Sequence, residues 1–132
     1  MINKTKSHIV HFRNSENERS SYRFHLSGTH IDYVQDCKYL GVIFDEFLSF
    51  GKMSDVLVES ANRALGKICS KFKYIKNMGF KTFTKLYEGC VVPIMDYCSA
   101  IWGYSNLIKC DKIHNRALRF FLGFTDLLRL QL

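Results

Sequence analysis

Cys37-Lys38-Tyr39-Leu40-Gly41-Val42-Ile43-Phe44-Asp45 is where the chain changes character, with β-like alternation before it and helical periodicity rich in basic residues after it. Tyr39, Val42 and Phe44 are strand formers, whereas Gly41 in their midst loses packing and costs backbone entropy. Either the chain bends at Gly41 or another group lies against its bare main chain. Both readings stand at this point.

Toward the N-terminus, Tyr22, Phe24 and Leu26 alternate with Arg23 and His25, stop at Ser27-Gly28-Thr29 and resume as Ile31, Tyr33 and Val34. This reads as a hairpin with a glycine turn. Residues 7–13, with Ile9 and Val10 among His8, His11 and Phe12, read as a further strand, and the apolar-free segment 14–21 reads as a solvated loop. With Lys38 to Asp45 as the last strand, these pieces predict a small antiparallel sheet that needs a covering layer.

Toward the C-terminus the period becomes helical. Leu57, Ala61, Ala64, Leu65, Ile68 and Phe72 predict a first helix from about 54 to 73, with Ser54 or Asp55 as its N-cap. Its opposite face carries Arg63, paired with Glu59 four residues earlier, then Lys67 and Lys71. Asn77-Met78-Gly79 breaks the pattern. Phe83, Leu86, Tyr87, Cys90, Val91, Ile94, Cys98 and Ile101 mark a longer second helix, kinked at Pro93 and apolar over more than half its circumference, hence the candidate central element. Trp102-Gly103-Tyr104 ends it. Ser105 or Asn106 caps a third helix, whose apolar face is Leu107, Cys110, Ile113, Ala117 and Phe121, and Gly123 is expected to stop it. Lys109, Lys112, Arg116 and Arg119 form one basic stripe roughly opposite that face, either a phosphate-binding surface or an ordinary solvated one.

Composition bounds the function. The 132 residues suffice for one domain, and 47% apolar residues with a single proline exclude disordered and collagen-like classes. Nineteen Lys and Arg against twelve Asp and Glu give a net charge of +7, which favours polyanionic partners. The start Met1-Ile2-Asn3-Lys4-Thr5-Lys6 has no apolar secretory segment. The most apolar stretch, Leu86 to Trp102, is interrupted by Glu88, Pro93 and Asp96 and falls short of the roughly 20 residues that span a bilayer. Five cysteines without two-residue spacing fit reduced thiols. A cytoplasmic or nuclear protein that is not secreted and has no membrane partner is therefore expected. Oligomeric state is not legible.

Catalytic chemistry finds little support. The acids are scattered apart from Asp45-Glu46, whose side chains point to opposite faces of a strand, so no two-metal carboxylate set forms. No glycine-rich phosphate loop exists. His25 and His30 flank a turn and His8 and His11 share a strand, but no Cys, Asp or Glu joins them at ligand spacing, so no metal site is expected.

Taken in order, the features resemble a known family. Lys4-Thr5-Lys6, the run Lys38-Tyr39-Leu40-Gly41-Val42 with Asp45 and Leu48-Ser49-Phe50 after it, and Ala61, Ala64 and Leu65-Gly66 resemble the C-terminal part of non-LTR (LINE-type) retrotransposon reverse transcriptases. Leu86-Tyr87, Val92-Pro93-Ile94, Asp96-Tyr97-Cys98, Ile101-Trp102-Gly103 and Arg116-Ala117-Leu118-Arg119 look like the thumb region of the same enzymes. The resemblance implies an α+β chain: residues 1–50 as the end of the palm with primer-grip strands, 51–124 as a three-helix thumb, and 125–132 as a tail without assignment.

It also implies roles. Lys4 falls at the palm lysine thought to protonate pyrophosphate, here a vestigial general-acid candidate, and Tyr39, Leu40 and Gly41 fall in the primer grip. Arg63, Lys67, Lys71, Lys109, Lys112, Arg116 and Arg119 become contacts to an RNA or RNA/DNA template–primer duplex. The family's Phe/Tyr-x-Asp-Asp hairpin and earlier aspartate precede the lysine and do not occur in this sequence; Phe44-Asp45-Glu46-Phe47 lies downstream and is not that motif. The asparagine usual three residues before the lysine falls on Met1. The expectation is thus a truncated RNA-directed DNA polymerase fragment, inactive by itself, that at most binds template–primer. Mg²⁺ belongs only to a full-length parent. The alternatives are a stand-alone nucleic-acid or protein interaction module derived from the element, or a non-functional remnant.

Overall fold

The computed structural model describes residues 7–75, 79–103 and 107–129, with backbone only at 107 and 124–129. The chain is α+β, with four short strands followed by five helices among the described residues. Its contacts divide it into two units, Met1–Met53 and Ser54–Leu132.

In the first unit, β1 (Phe24–Leu26) pairs antiparallel with β2 (Thr29–Ile31), placing His25 opposite His30. β3 (Asp36–Tyr39) pairs antiparallel with β4 (Val42–Asp45), placing Tyr39 opposite Val42 and Asp36 opposite Asp45. These are two separate hairpins, not one sheet. Residues 7–13 do not form the expected strand. Ile9 alone bridges to Tyr33, in parallel, and by Arg13 the chain has turned to bond elsewhere, its N–H donating to the Glu46 carbonyl at 2.9 Å.

The stretch Lys38 to Asp45 is likewise not a single strand. Leu40 and Gly41 lie at φ 46° and 85°, so they are the two central residues of a tight hairpin turn. Positive φ at both positions matches the right-handed twist of the flanking strands. The bend reading of Gly41 therefore describes the fold. The same geometry recurs at Ser27 and Gly28, with φ 47° and 76°.

Two neighbouring carboxylates organise the end of β4 and the loop after it. Asp45 Oδ1 accepts the backbone N–H groups of Phe47 (3.0 Å) and Ser49 (3.1 Å), and Oδ2 accepts the N–H of Phe50 (2.8 Å) and the Ser49 hydroxyl (3.1 Å). This holds a loop in which Leu48 and Phe50 have φ 51° and 54°. Burial pushes the Asp45 carboxyl up, but the bonds from Ser49, Phe50 and Phe47 outweigh it and hold it below the ordinary value. Glu46, with only 9% of its side chain exposed, accepts from Arg19 Nη2 at 2.8 Å and Arg13 Nε at 3.2 Å. Arg19 first, and Arg13 with it, hold this carboxyl below its usual value against desolvation. Arg13 also stands 4.9 Å over the Phe47 ring.

Helix α1 spans Gly51–Tyr74, three residues longer at its start than the periodicity predicts. Ser49 Oγ accepts the Gly51 N–H at 3.4 Å, so the turn is capped before Ser54 is reached. Ser54 instead lies in the helix, fully buried, its hydroxyl without a partner among the described residues.

The expected long second helix is three short ones, α2 (Phe80–Cys90), α3 (Val92–Asp96) and α4 (Ser99–Trp102). Pro93 starts α3 rather than kinking a continuous helix, because its missing N–H costs nothing in a first turn. Cys98 at φ 53° makes the second break. Helix α5 runs Leu107–Arg129 straight through Gly123, since a lone glycine costs a helix only about 1 kcal/mol and stops it only where a left-handed cap follows. Residues 125–129 thus belong to α5, while Lys4, Asn77-Met78, the proposed caps Ser105 and Asn106, and residues 130–132 lie outside the described residues.

In the second unit the central element is α1, not the second helical segment. Leu57, Ala61, Leu65, Ile68 and Phe72 are buried, with Ala61, Leu65 and Phe72 at 0% exposure, as are Phe83, Val91, Met95 and Trp102 and, on α5, Cys110, Ile113, Ala117 and Phe121. Phe72 is an aromatic hub, edge-on to Phe83 at 5.4 Å, Phe121 at 6.0 Å and Phe120 at 6.1 Å. Such pairs add roughly 0.5–1.5 kcal/mol each beyond burial.

Replacing Asp45 with Asn removes the charge-assisted acceptor and turns an amide donor toward N–H groups, so urea unfolding at pH 7 should show a loss of about 1–3 kcal/mol. Both carboxyls have folded pKa values below their unfolded ones. Their contribution is therefore complete only well above the unfolded values of 3.8 and 4.5, from about pH 6, and is lost as pH falls through the folded values. The Asp45→Asn variant should lose less stability than the parent between pH 7 and 3, and equal losses would contradict this assignment.

Candidate nucleic-acid interface

Two surfaces carry the residues singled out in the sequence, one in each unit. In the first unit, the β3–β4 turn presents Tyr39 at 65% exposure and Leu40 at 76%. Turns of this type favour Asn, Asp or Gly, and a leucine in left-handed conformation costs roughly 1–2 kcal/mol. With three-quarters of Leu40 open to solvent, burial within the fold offsets little of that cost. The turn conformation serves the hairpin, but a leucine rather than Asn, Asp or Gly in it, beside an exposed tyrosine, adds strain and exposed apolar surface.

In the second unit, the basic residues do not form one uniform surface. Lys109 Nζ donates to Asp55 Oδ1 at 2.5 Å, and Arg116 Nη1 donates to Asn62 Oδ1 at 2.6 Å. These rungs stand seven residues apart on both helices, so α1 and α5 run parallel along this seam. Lys109 and Arg116 therefore lie against α1, and the four-residue stripe expected from the sequence is split. Lys112 and Arg119 are exposed and have no side-chain hydrogen-bond partner among the described residues. Arg63 bonds Glu59 at 2.5 Å, as its spacing predicts, and also Ser60 Oγ at 3.0 Å, while Lys67 and Lys71 are exposed.

Beyond the second rung, α1 and α5 leave a groove of about 510 Å³ lined by Gly66, Cys69, Ser70, Lys73, Tyr74, Arg116 and Phe120. A second depression of similar size on α5 is lined by Lys112, Asn115, Arg116, Arg119 and Phe120. Arg116 and Phe120 belong to both linings, with Lys73 on the α1 side of the first and Lys112 and Arg119 on the second. Charge and periodicity alone do not select Lys73, Tyr74 or Asn115. The spacing of Gly66, Cys69, Ser70 and Lys73, at i, i+3, i+4 and i+7 with small residues leading, is the signal that marks this side of the helix. Burial pushes the Cys69 thiol up, with Arg116 and Lys73 pulling against it.

The Asp45 oxygens accept backbone N–H groups and the Ser49 hydroxyl, and Glu46 Oε2 accepts from Arg13 and Arg19. Among the described residues no group of three His, Cys, Asp or Glu is placed to hold an ion. Nor is any described helix long and apolar enough to cross a membrane.

No protein-family profile and no solved structure matches the chain. Among curated proteins it is similar to a "Probable RNA-directed DNA polymerase from transposon BS" of Drosophila melanogaster, with 28% identity over 97 residues. That match covers 71% of this chain and only 11% of the fly protein. The likeness supports a relation between this chain and the reverse transcriptases of transposons.

Proposed function

We propose that this chain is the part of a transposon reverse transcriptase that holds the template–primer, with the β3–β4 turn as primer grip and the Ser54–Leu132 unit as thumb. The observation that carries the reading is Leu40, a solvent-exposed leucine at φ 46° on a hairpin tip. Strain of this kind persists where a ligand uses the shape. Gly41 beside it has no Cβ, so the main chain of the turn can approach a primer sugar-phosphate. The basic surface of α5 supplies phosphate contacts, with Lys112 and Arg119 free to move onto the ligand and Lys109 and Arg116 fixed along α1.

The chain by itself binds without extending. Its paired acids Asp45 and Glu46 serve the fold, and primer-extension assays with Mg²⁺ or Mn²⁺ should give no product. Templated synthesis by this chain alone would overturn that part of the reading.

Binding to an RNA/DNA hybrid, followed by fluorescence anisotropy, should weaken steeply with salt. Neutralising Lys112 and Arg119 together to Gln should reduce the log–log salt slope by about 2. An unchanged slope would remove the α5 surface from the interface. At the hairpin, Leu40→Gly should stabilise the fold by about 1 kcal/mol by relieving the left-handed strain. The same change should weaken hybrid binding severalfold. A variant that is both more stable and equally tight would show that the strained leucine does not serve the ligand.

A further inference from the structure

A duplex-binding thumb accounts for the exposed cations of α5 but not for the groove between α1 and α5. A duplex presents phosphates on a convex surface with its bases stacked inside, and it gives no use to a concave slot that ends in aromatic rings. We infer that this groove takes one unstacked nucleotide of a single-stranded segment, its base against Tyr74 and Phe120 and its phosphate on Lys73 and Arg116. This inference rests on the nucleic-acid reading proposed above and adds a second strand form to it.

Four features of the groove argue for that ligand. Its volume of about 510 Å³ admits a nucleotide. Its floor is made of small residues, and a Cβ built on Gly66 would meet nothing within 4 Å, so the space is open down to the helix backbone. Tyr74, at the C-terminal end of α1, is 84% exposed, a tyrosine that the described residues leave largely uncovered. The cations stand on two different helices, and the Arg116 guanidinium is already oriented by Asn62 at 2.6 Å, so one phosphate can be held from both walls. Base-on-aromatic stacking beside a basic wall is the general solution for single strands, because every base has a π-face and no pairing edge is read. Phe120 is a wall rather than a mobile stacker, since its ring also packs on Phe72 at 6.1 Å and Phe83 at 6.2 Å. Tyr74 is the adjustable partner.

The test compares a 12-nucleotide single-stranded RNA with an RNA/DNA hybrid of the same sequence, both by fluorescence anisotropy with the full chain. Tyr74→Ala and Lys73→Gln alter exposed side chains and should leave circular dichroism and thermal unfolding unchanged. Each should weaken single-strand binding by about tenfold and hybrid binding by less than twofold. The Lys112→Gln/Arg119→Gln variant should instead weaken the hybrid more. Equal losses for both ligands with Tyr74→Ala, or no loss for either, overturn the groove assignment while leaving the thumb reading intact. Hybrid binding without measurable single-strand binding overturns it as well. Failure of the parent chain to bind either ligand overturns both readings.

Discussion

The adjacent acids Asp45 and Glu46 are the constraint on which the Met1–Met53 unit depends. One carboxylate collects the N–H groups of a loop with two residues at positive φ and hands the chain into α1. The other draws Arg13 and Arg19 from the N-terminal segment onto the end of β4. Two-stranded hairpins are marginal by themselves, and Val42, Phe50 and Met53 are the buried apolar residues among those described in this unit. Electrostatic fixing of backbone therefore does here what a hydrophobic core does in the helical unit.

The helical unit is built by the opposite means. An apolar face on α1, an aromatic hub at Phe72 and matching faces on α2 and α5 bury side chains almost completely. Along the edge of that core the parallel seam of Asp55–Lys109 and Asn62–Arg116 fixes two cations in place. Exposed pairs of this sort contribute little stability, about 0–1 kcal/mol. Their effect is on position: they separate the cations that line the seam from those free to meet a ligand.

How much of this was legible in the sequence depends on the range of the interactions. The faces of α1 and α5 were legible because Leu57 to Phe72 and Cys110 to Phe121 keep a 3.6-residue period that only packing explains. The hairpin at Leu40-Gly41 was hidden because leucine stands where the turn chemistry calls for Asn or Asp, so the run reads as one strand. The breaks at Val91 and Cys98 were hidden because the apolar pattern continues across them, although Pro93 opens a new helix and Cys98 lies at φ 53°. The roles of Glu46 and Lys73 depend on partners or walls supplied by distant chain, which no local pattern encodes, whereas Asp45 bonds only two to five residues ahead, to a loop whose positive φ values the sequence does not announce. The α5 stripe was legible as a pattern but not in its division, because Asp55 and Asn62 lie 54 residues away from Lys109 and Arg116.

The exposed turn of the first unit and the basic helix face of the second are each proposed as a nucleic-acid contact. Amide hydrogen exchange with and without an RNA/DNA hybrid tests this most directly. Protection on binding should fall at Tyr39 to Val42 and on the α5 segment around Lys112 to Arg119. Protection confined to other segments, or an exchange pattern unchanged at saturating hybrid, would contradict it.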